Sequence, residues 1–307
     1  MPVYVARLER GLINPRPCIR AIRKWGATCL LDAGNALGHV AAVVGMKTAI
    51  SVALRYGVGL VGVRNSNHFG MAAYYTMLAA ERGLIGLALS NTAPAMAPLG
   101  GAVPMLGTNP ISVAVPAGSQ GAVVLDMSTS SVARGKVRMA ALAGKRIPLD
   151  WGLDREGRPT DDPWAVLEGS LLPAAGAKGY ALSLVVDILS GVWTGSAYGP
   201  AVRETTDLSG PTGVGHLLAA LKVEALAERV RFVDEMERYC GSLKDCPRAP
   251  GVERIYLPGE IEAEQAAFNG QHGVPLSPEV WEELAALGGR LGVTLPALAV
   301  EQLSGGE

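Results

Sequence analysis

The sequence has few cysteines and almost no excess charge, and each shortage argues against a class of protein. Its 307 residues include four scattered cysteines without a C-x-x-C pair, so neither a disulfide framework nor a cysteine metal site is predicted. A formal net charge of -1 argues against nucleic acid as a partner. Histidine, cysteine and acidic residues do not share metal-ligand spacing, so no metal is expected. The cysteine usage predicts a cytoplasmic protein.

Uninterrupted apolar runs are also missing. The apolar stretch at 36–63 contains Lys47, Arg55 and several glycines, which predicts a helix followed by a buried strand rather than a bilayer span. Residues 1–11 lack the apolar core of a signal peptide. We therefore expect no membrane association. With 49% hydrophobic residues, the chain can bury the core of one large domain or two ordinary ones.

Hydrophobic spacing predicts an α/β architecture with a sheet at its centre. After a turn at 34–38, apolar residues at helical spacing predict a helix to about Tyr56 and then a strand at 58–63. A second helix over 71–82 and a second strand over 84–89 repeat this order. Further predictions are strands at 112–115 and 122–125, a buried helix at 181–192, and amphipathic helices at 223–239 and 278–287.

The segment Arg64-Asn65-Ser66-Asn67-His68-Phe69-Gly70 directly follows the strand predicted at 58–63. A buried strand that ends in polar residues, one imidazole and a glycine is typical of a strand that delivers a histidine to a loop. Histidine can accept or donate a proton near neutral pH, which makes His68 a candidate acid–base group. The alternative is a histidine that only satisfies a loop carbonyl.

Two downstream segments suit an anion. Residues 126–131 include four hydroxyl side chains in a row and are followed by Arg134 and Lys136, which predicts an anion site at a helix N-terminus. An ordinary N-cap is the alternative, although it needs only one hydroxyl. In the segment 176–180, Lys178 lies between small residues at the start of an apolar helix, where it is either a phosphate contact or a solvated loop lysine.

The pattern G-x-G-x-x-G occurs once, at 57–62. A dinucleotide fingerprint needs these glycines after a strand and at the start of a helix, where the helix N-terminus meets the pyrophosphate. Here the glycines follow a helix and lie inside the next predicted strand. A Rossmann fold is therefore not predicted.

The remaining histidines differ in their settings. His216 follows a glycine-rich turn and is a candidate for lining a ligand crevice. His39, at the start of an apolar helix, is expected to be packed or capping, and His272 is expected to lie in a polar loop and to be solvated.

Six segments, in order, are N-S-N-H-F-G at 65–70, G-T-N-P at 107–110, L-D-M-S-T-S at 125–130, A-R-G-K at 133–136, K-G-Y at 178–180 and P-G-E at 258–260. Together they resemble the type 2 malate/L-lactate dehydrogenase family. The resemblance runs from about Tyr4 to the last predicted helix and so covers nearly the whole sequence.

The resemblance implies reduction of small 2-keto acids with NAD or NADP, and the reverse oxidation of 2-hydroxy acids. It also implies a homodimer and a central, mixed-sheet, non-Rossmann nucleotide-binding domain at 26–210. A helical domain is then built from both chain ends, 1–25 and 211–307.

Residue by residue, the resemblance makes His68 the proton acceptor in oxidation and the proton donor in reduction, and Tyr4 a substrate-pocket residue. The implied cofactor contacts are Asp126, Met127, Ser128, Lys178, Gly179, Gly215, His216, Pro258, Gly259 and Glu260.

One departure concerns the segment ahead of Met1. Family members carry a Ser-His-Gly motif followed by an arginine there, and some use that histidine as the acid and the arginine to grip the substrate carboxylate. We expect the natural protein to be longer, or this chain to be a fragment, because the carboxylate of a 2-keto acid needs a charged donor. A working enzyme without this segment is the third option. The alternatives are a nucleotide-binding relative without turnover and an imino-acid or ureidoglycolate-type dehydrogenase.

Overall fold

The computed structural model describes residues 2–296, which form a mixed seven-stranded sheet with helices on both faces. The strands are β1 (Arg20–Trp25), β2 (Thr28–Asp32), β3 (Val58–Ser66), β4 (Leu84–Ser90), β5 (Ile111–Pro116), β6 (Ala122–Met127), β7 (Gly152–Leu153), β8 (Ser170–Leu171) and β9 (Val214–Lys222). The helices are α1 (Pro2–Glu9), α2 (Gly38–Tyr56), α3 (Ala73–Ala80), α4 (Arg134–Leu142), α5 (Pro163–Glu168), α6 (Ala177–Asp187), α7 (Arg229–Lys244), α8 (Glu260–His272) and α9 (Pro278–Leu291). No helix within residues 2–296 combines the length and apolar character that a bilayer crossing requires.

The order of the strands in the sheet is β1-β2-β3-β9-β4-β5-β6, and β7 pairs with β8 in a separate ribbon. β2 and β3 run parallel, and the other neighbours in the large sheet run antiparallel. The predicted α/β architecture with a central mixed sheet is confirmed.

Small residues let α2 lie close to the centre of the sheet. Its buried face is rich in alanine and glycine, and a Cβ at Gly59 of β3 would overlap the carbonyl oxygen of Ala49. A Cβ at Gly45 would meet the side chains of Leu218 and Val63 on β9 and β3. Gly57 ends the helix in the left-handed conformation (φ 85°), as its position before a strand predicts. This close packing sets the distance between α2 and the centre of the sheet.

The strand β9 was not expected. It lies between β3 and β4, although more than 120 residues separate it from either strand along the chain. Its leucine and alanine content favours a helix locally, and only pairing with β3 and β4 selects the extended form. The helix predicted at 223–239 begins instead at Arg229 and is α7. β1, β2, α1 and α8 were also not predicted as elements.

The sheet draws on all three segments of the predicted domain division. β1 lies before residue 26, and β9 lies after residue 210. The division at these two residues stays a prediction. The last part of the predicted 211–307 segment, 297–307, lies outside the described residues.

Candidate active site

The loop after β3 presents His68 at the surface while its neighbours are held from below. Asn67 is buried, and its amide group donates to the carbonyl oxygen of Ala36 at 2.8 Å and to Oδ1 of Asn35 at 3.0 Å. The hydroxyl of Thr212 donates to Oδ1 of Asn67 at 2.8 Å. The loop conformation is therefore set by buried polar contacts, and His68 is left with exposed surface.

Phe69, the residue after His68, is packed between two other rings. The centre of the Tyr75 ring lies 5.0 Å from the centre of the Phe69 ring, with an interplanar angle of 25°. The centre of the His216 ring lies 4.7 Å from it, and these two rings are almost parallel. The hydroxyl of Tyr75 also donates to the carbonyl oxygen of Phe69. These contacts fix the backbone directly after His68 in the chain.

The imidazole of His68 is paired with Tyr4 from helix α1. Oη of Tyr4 lies 2.6 Å from Nδ1 of His68, and the two rings are stacked at 6.3 Å. Burial raises the pKa of Tyr4, so the phenol stays protonated near neutral pH. Because Tyr4 engages Nδ1, the nitrogen left to face a substrate is Nε2, for which residues 2–296 provide no hydrogen-bond partner. The structure thus brings together the predicted proton-transfer residue and the predicted substrate residue.

His39 is a neighbour of this pair that the sequence analysis did not place in the site. Its ring meets that of Tyr4 edge-on at 5.6 Å, and a Cβ at Gly70 would lie 2.9 Å from its Nε2. Close packing lowers the pKa of His68 below its ordinary value, and the charge of His39 lowers it further. His68 is therefore unprotonated at neutral pH, the state that accepts a proton. Only the convergence of α1 and α2 on the loop reveals this role of His39.

Asp126 lies at the end of β6, beside the helix that follows the His68 loop. Its Oδ2 accepts the backbone N–H of Ala73 at 2.8 Å, in the first turn of α3. Burial raises the pKa of this carboxyl, while the N–H groups of Ala73 and Ala72 oppose the change. Asp126 therefore ties the cofactor segment predicted at 126–128, including Met127, to the loop of His68.

Lys178 and Gly179 open helix α6 next to the serine-rich segment. A Cβ at Gly179 would lie 2.7 Å from the carbonyl oxygen of Thr129, so only glycine allows this approach. The side chain of Lys178 is exposed and has no acidic partner in the described structure. The hydroxyl of Ser128 belongs to the serine-rich segment and lies 3.1 Å from Oγ of Ser130. A free ammonium, a helix N-terminus and hydroxyl donors form a set that fits a dinucleotide pyrophosphate.

The turn Pro258-Gly259-Glu260 packs on β6, two residues before Asp126. The carbonyl oxygen of Pro258 accepts the N–H of Val124 at 2.9 Å, and a Cβ at Gly259 would lie 2.7 Å from the Cβ of Val124. The carboxylate of Glu260 is held by Lys244 and by the N–H of Leu257, which lowers its pKa. The turn therefore lies along the strand that carries Asp126, with the Glu260 charge already paired.

Gly215 and His216 lie inside the molecule rather than at an open crevice. A Cβ at Gly215 would overlap the carbonyl oxygen of Ser190. The backbone N–H of Gly215 donates to Oδ1 of Asn91 at 2.9 Å. His216 has no exposed surface. Direct contact of these two residues with a cofactor stays a prediction, and their burial favours an indirect role.

Comparison with known proteins agrees with this geometry. A family model described as malate/L-lactate dehydrogenase matches residues 1–285. The chain belongs to this family. It is thereby an NAD(P)-dependent oxidoreductase of hydroxy acids. The predicted family, the predicted activity and the expectation that the cofactor is NAD or NADP, without a decision between the two, are confirmed.

Several relatives illustrate the range of the family. An L-sulfolactate dehydrogenase of Methanothermobacter thermautotrophicus is 37% identical over 294 residues, covering 96% of this chain and 84% of the relative. The crystal structure of a malate dehydrogenase from Entamoeba histolytica matches with a TM-score of 0.90 at 34% identity, covering 96% of this chain and 85% of that chain. A ureidoglycolate dehydrogenase (NAD(+)) of Escherichia coli K12 is 35% identical over 271 residues, covering 87% of this chain and 77% of the relative.

Proposed function

We propose that this protein oxidises and reduces a small 2-hydroxy/2-keto acid pair of the malate or L-lactate class, with His68 exchanging the proton. The observation that carries the proposal is the exposed imidazole of His68, which a buried loop holds and which Tyr4 engages at Nδ1. A ring fixed in this way has one nitrogen available for the oxygen of a substrate.

The residues of the chain supply position and proton transfer. In oxidation, Nε2 of His68 accepts the proton of the C2 hydroxyl as the carbonyl forms, and in reduction the imidazolium returns it. When Nε2 has accepted this proton, both ring nitrogens carry hydrogen, so Nδ1 donates to the oxygen of Tyr4 and this contact stabilises the imidazolium. Bound NAD or NADP supplies the hydride chemistry.

The nucleotide is assigned to the residues that meet at the ends of β6 and α6. Lys178 and Ser128 would hold the pyrophosphate, and Gly179 keeps the helix N-terminus close to them. Asp126, Met127 and the Pro258-Gly259-Glu260 turn would line the same surface along β6. Every one of these assignments predicts weaker nucleotide binding on substitution.

The test of this proposal is oxidation of NADH and of NADPH, followed at the nicotinamide absorbance band. The panel holds oxaloacetate, pyruvate, a sulfonated keto acid and a cyclic imino acid, and ureidoglycolate is assayed by reduction of NAD. We expect turnover with at least one 2-keto acid. Turnover of only the imino acid or of ureidoglycolate would assign a different substrate class within the family. Binding of the nucleotide without any turnover would assign a non-catalytic relative.

We also propose that two copies associate through the outer face of α6. Leu182, Val185, Ile188 and Val192 recur at helical spacing along α6 and its π-helical continuation, and each is about half exposed. A contiguous apolar stripe of this kind marks an interface. It begins next to Lys178, so the interface would adjoin the nucleotide site.

Light scattering tests this association. The protein is expected to have twice the mass of one chain, and Val185→Glu is expected to shift it to a single chain because a carboxylate would be buried in the interface. Leu226→Glu is the control, since Leu226 is almost completely exposed and belongs to the turn after β9 rather than to α6. A single-chain mass for the unmodified protein would contradict the proposal.

We place the protein in the cytoplasm on the basis of its cysteines. The four thiols, at Cys18, Cys29, Cys240 and Cys246, are all free. Free thiols are the normal state in a reducing compartment.

A further inference from the structure

His216 links three strands at the centre of the sheet. It lies on β9, opposite Val63 of β3 on one side and Ser90 of β4 on the other. Its Nε2 lies 2.7 Å from Oγ of Ser66, and its Nδ1 lies 2.9 Å from Oγ of Ser90. Both ring nitrogens are therefore satisfied inside the protein, and the ring has no contact with solvent.

The face of the same ring supports the loop of His68. Phe69 lies flat on it, with an interplanar angle of 2° and 4.7 Å between ring centres. Ser66 and Phe69 are the residues two before and one after His68. His216 thus holds both sides of the backbone segment that carries the proton-transfer histidine.

We propose that His216 is a positioning residue, which sets the place of His68 for proton transfer through Ser66 and Phe69. The inference rests on the proposed role of His68. The direct contact of His216 with the cofactor stays a separate prediction, and the burial of the ring beneath Phe69 favours the positioning role.

The protonation state of the His216 ring is suited to a positioning residue whose hydrogen bonds do not change with pH. Burial lowers the pKa of His216 to about 3, and the charges of His68 and His39 act in the same direction. The ring of His216 therefore stays neutral near neutral pH. A neutral imidazole has one donor and one acceptor, and a serine hydroxyl can complement either of them.

Replacement by phenylalanine tests the proposal, because H216F keeps an aromatic ring against Phe69 and removes both hydrogen bonds. We expect kcat to fall by about tenfold or more, since small displacements of a reacting group are costly. The dissociation constant of NADH, measured by its fluorescence, is expected to change less than about twofold. Ser90→Ala removes one hydrogen bond only, keeps the ring in place, and is expected to show a smaller loss in the same direction.

The matched control lies on the same strand. Leu218 is fully buried two residues further along β9, on the same face of the sheet, and packs towards Gly45 of α2. Leu218→Ala is expected to lower Tm without changing kcat of the folded enzyme. If H216F behaves like Leu218→Ala, His216 is merely structural. If H216F weakens NADH binding at unchanged kcat, His216 acts on the cofactor. Either result overturns the proposal.

A second measurement does not depend on turnover. The pKa of the His68 ring is obtained by NMR titration of isotope-labelled histidine, with His68→Gln for assignment among the four histidines. H216F and Ser90→Ala are expected to raise the pKa of His68 towards its ordinary value, because a released loop loosens the close packing around the ring. An unchanged pKa would overturn the proposal. If the unmodified protein reduces no acid on the panel, the proposed function fails, while this titration still decides the role of His216.

Discussion

Replacement of His68 by glutamine is expected to lower kcat by about 10²–10⁴-fold in both directions of the reaction, the usual contribution of a positioned acid–base group. Glutamine is of similar size and can still bond to Oη of Tyr4, but it cannot exchange a proton. Binding of NADH, measured by fluorescence, is expected to persist, because the residues assigned to the pyrophosphate lie on β6 and α6. The measurements are kcat for the hydroxy acid and for the keto acid.

The matched control is the same substitution at an exposed histidine. His272 ends α8, where it stacks on Phe268. His272→Gln is expected to leave kcat within about twofold, because the ring lies outside the proposed site. If His68→Gln retained more than a third of the activity, His68 would not be the proton-transfer residue.

The pH dependence provides an independent signature of His68. Its pKa lies below the ordinary value of about 6.5, because of close packing and the charge of His39. Oxidation needs the unprotonated ring, so kcat/KM for the hydroxy acid is expected to be constant above about pH 6.5 and to fall at lower pH. Reduction needs the protonated ring, so kcat/KM for the keto acid is expected to fall about tenfold for each pH unit above about pH 6.5. His68→Gln should abolish both slopes.

A methyl group at Gly38 is expected to displace the His68 loop. Gly38 is the buried first residue of α2, and a Cβ there would overlap the carbonyl oxygens of Asn67 and His68. Neither oxygen can move without moving the backbone of the loop. Gly38→Ala is therefore expected to cost roughly 1–3 kcal/mol of unfolding free energy. Because the displaced backbone carries His68, kcat is expected to fall by about tenfold or more. Denaturant unfolding and steady-state kinetics measure the two effects.

Gly59 offers a control of equal crowding at a distance from the loop. A Cβ at Gly59 would overlap the carbonyl oxygen of Ala49, within the packing of α2 on β3. Gly59→Ala is expected to lower stability to a similar degree, while the folded fraction keeps its kcat. Equal losses of kcat in the two variants would mean that general destabilisation, rather than displacement of His68, explains the result.

Local sequence features were sufficient for much of the architecture. The helix–glycine–strand order predicted around Gly57 corresponds to α2 and β3, because helical spacing and a C-terminal glycine are signals within a few residues. The rejection of a Rossmann fingerprint at 57–62 agrees with the structure for the same reason, since Gly59 and Gly62 lie inside β3. His68 was singled out by the strand that precedes it.

The relations between distant segments were beyond local signals. β9 is a strand because β3 and β4 flank it, and its own residues do not indicate this. His39 joins Tyr4 and His68 only because α1 and α2 converge on one loop. His216 was expected at a ligand crevice, whereas the structure buries it beneath Phe69. Composition and motif spacing thus determined the class of protein and singled out the histidine to which we assign the proton transfer. Only tertiary packing, which brings together residues far apart in the chain, decided which side chains hold that histidine in place and shift its pKa.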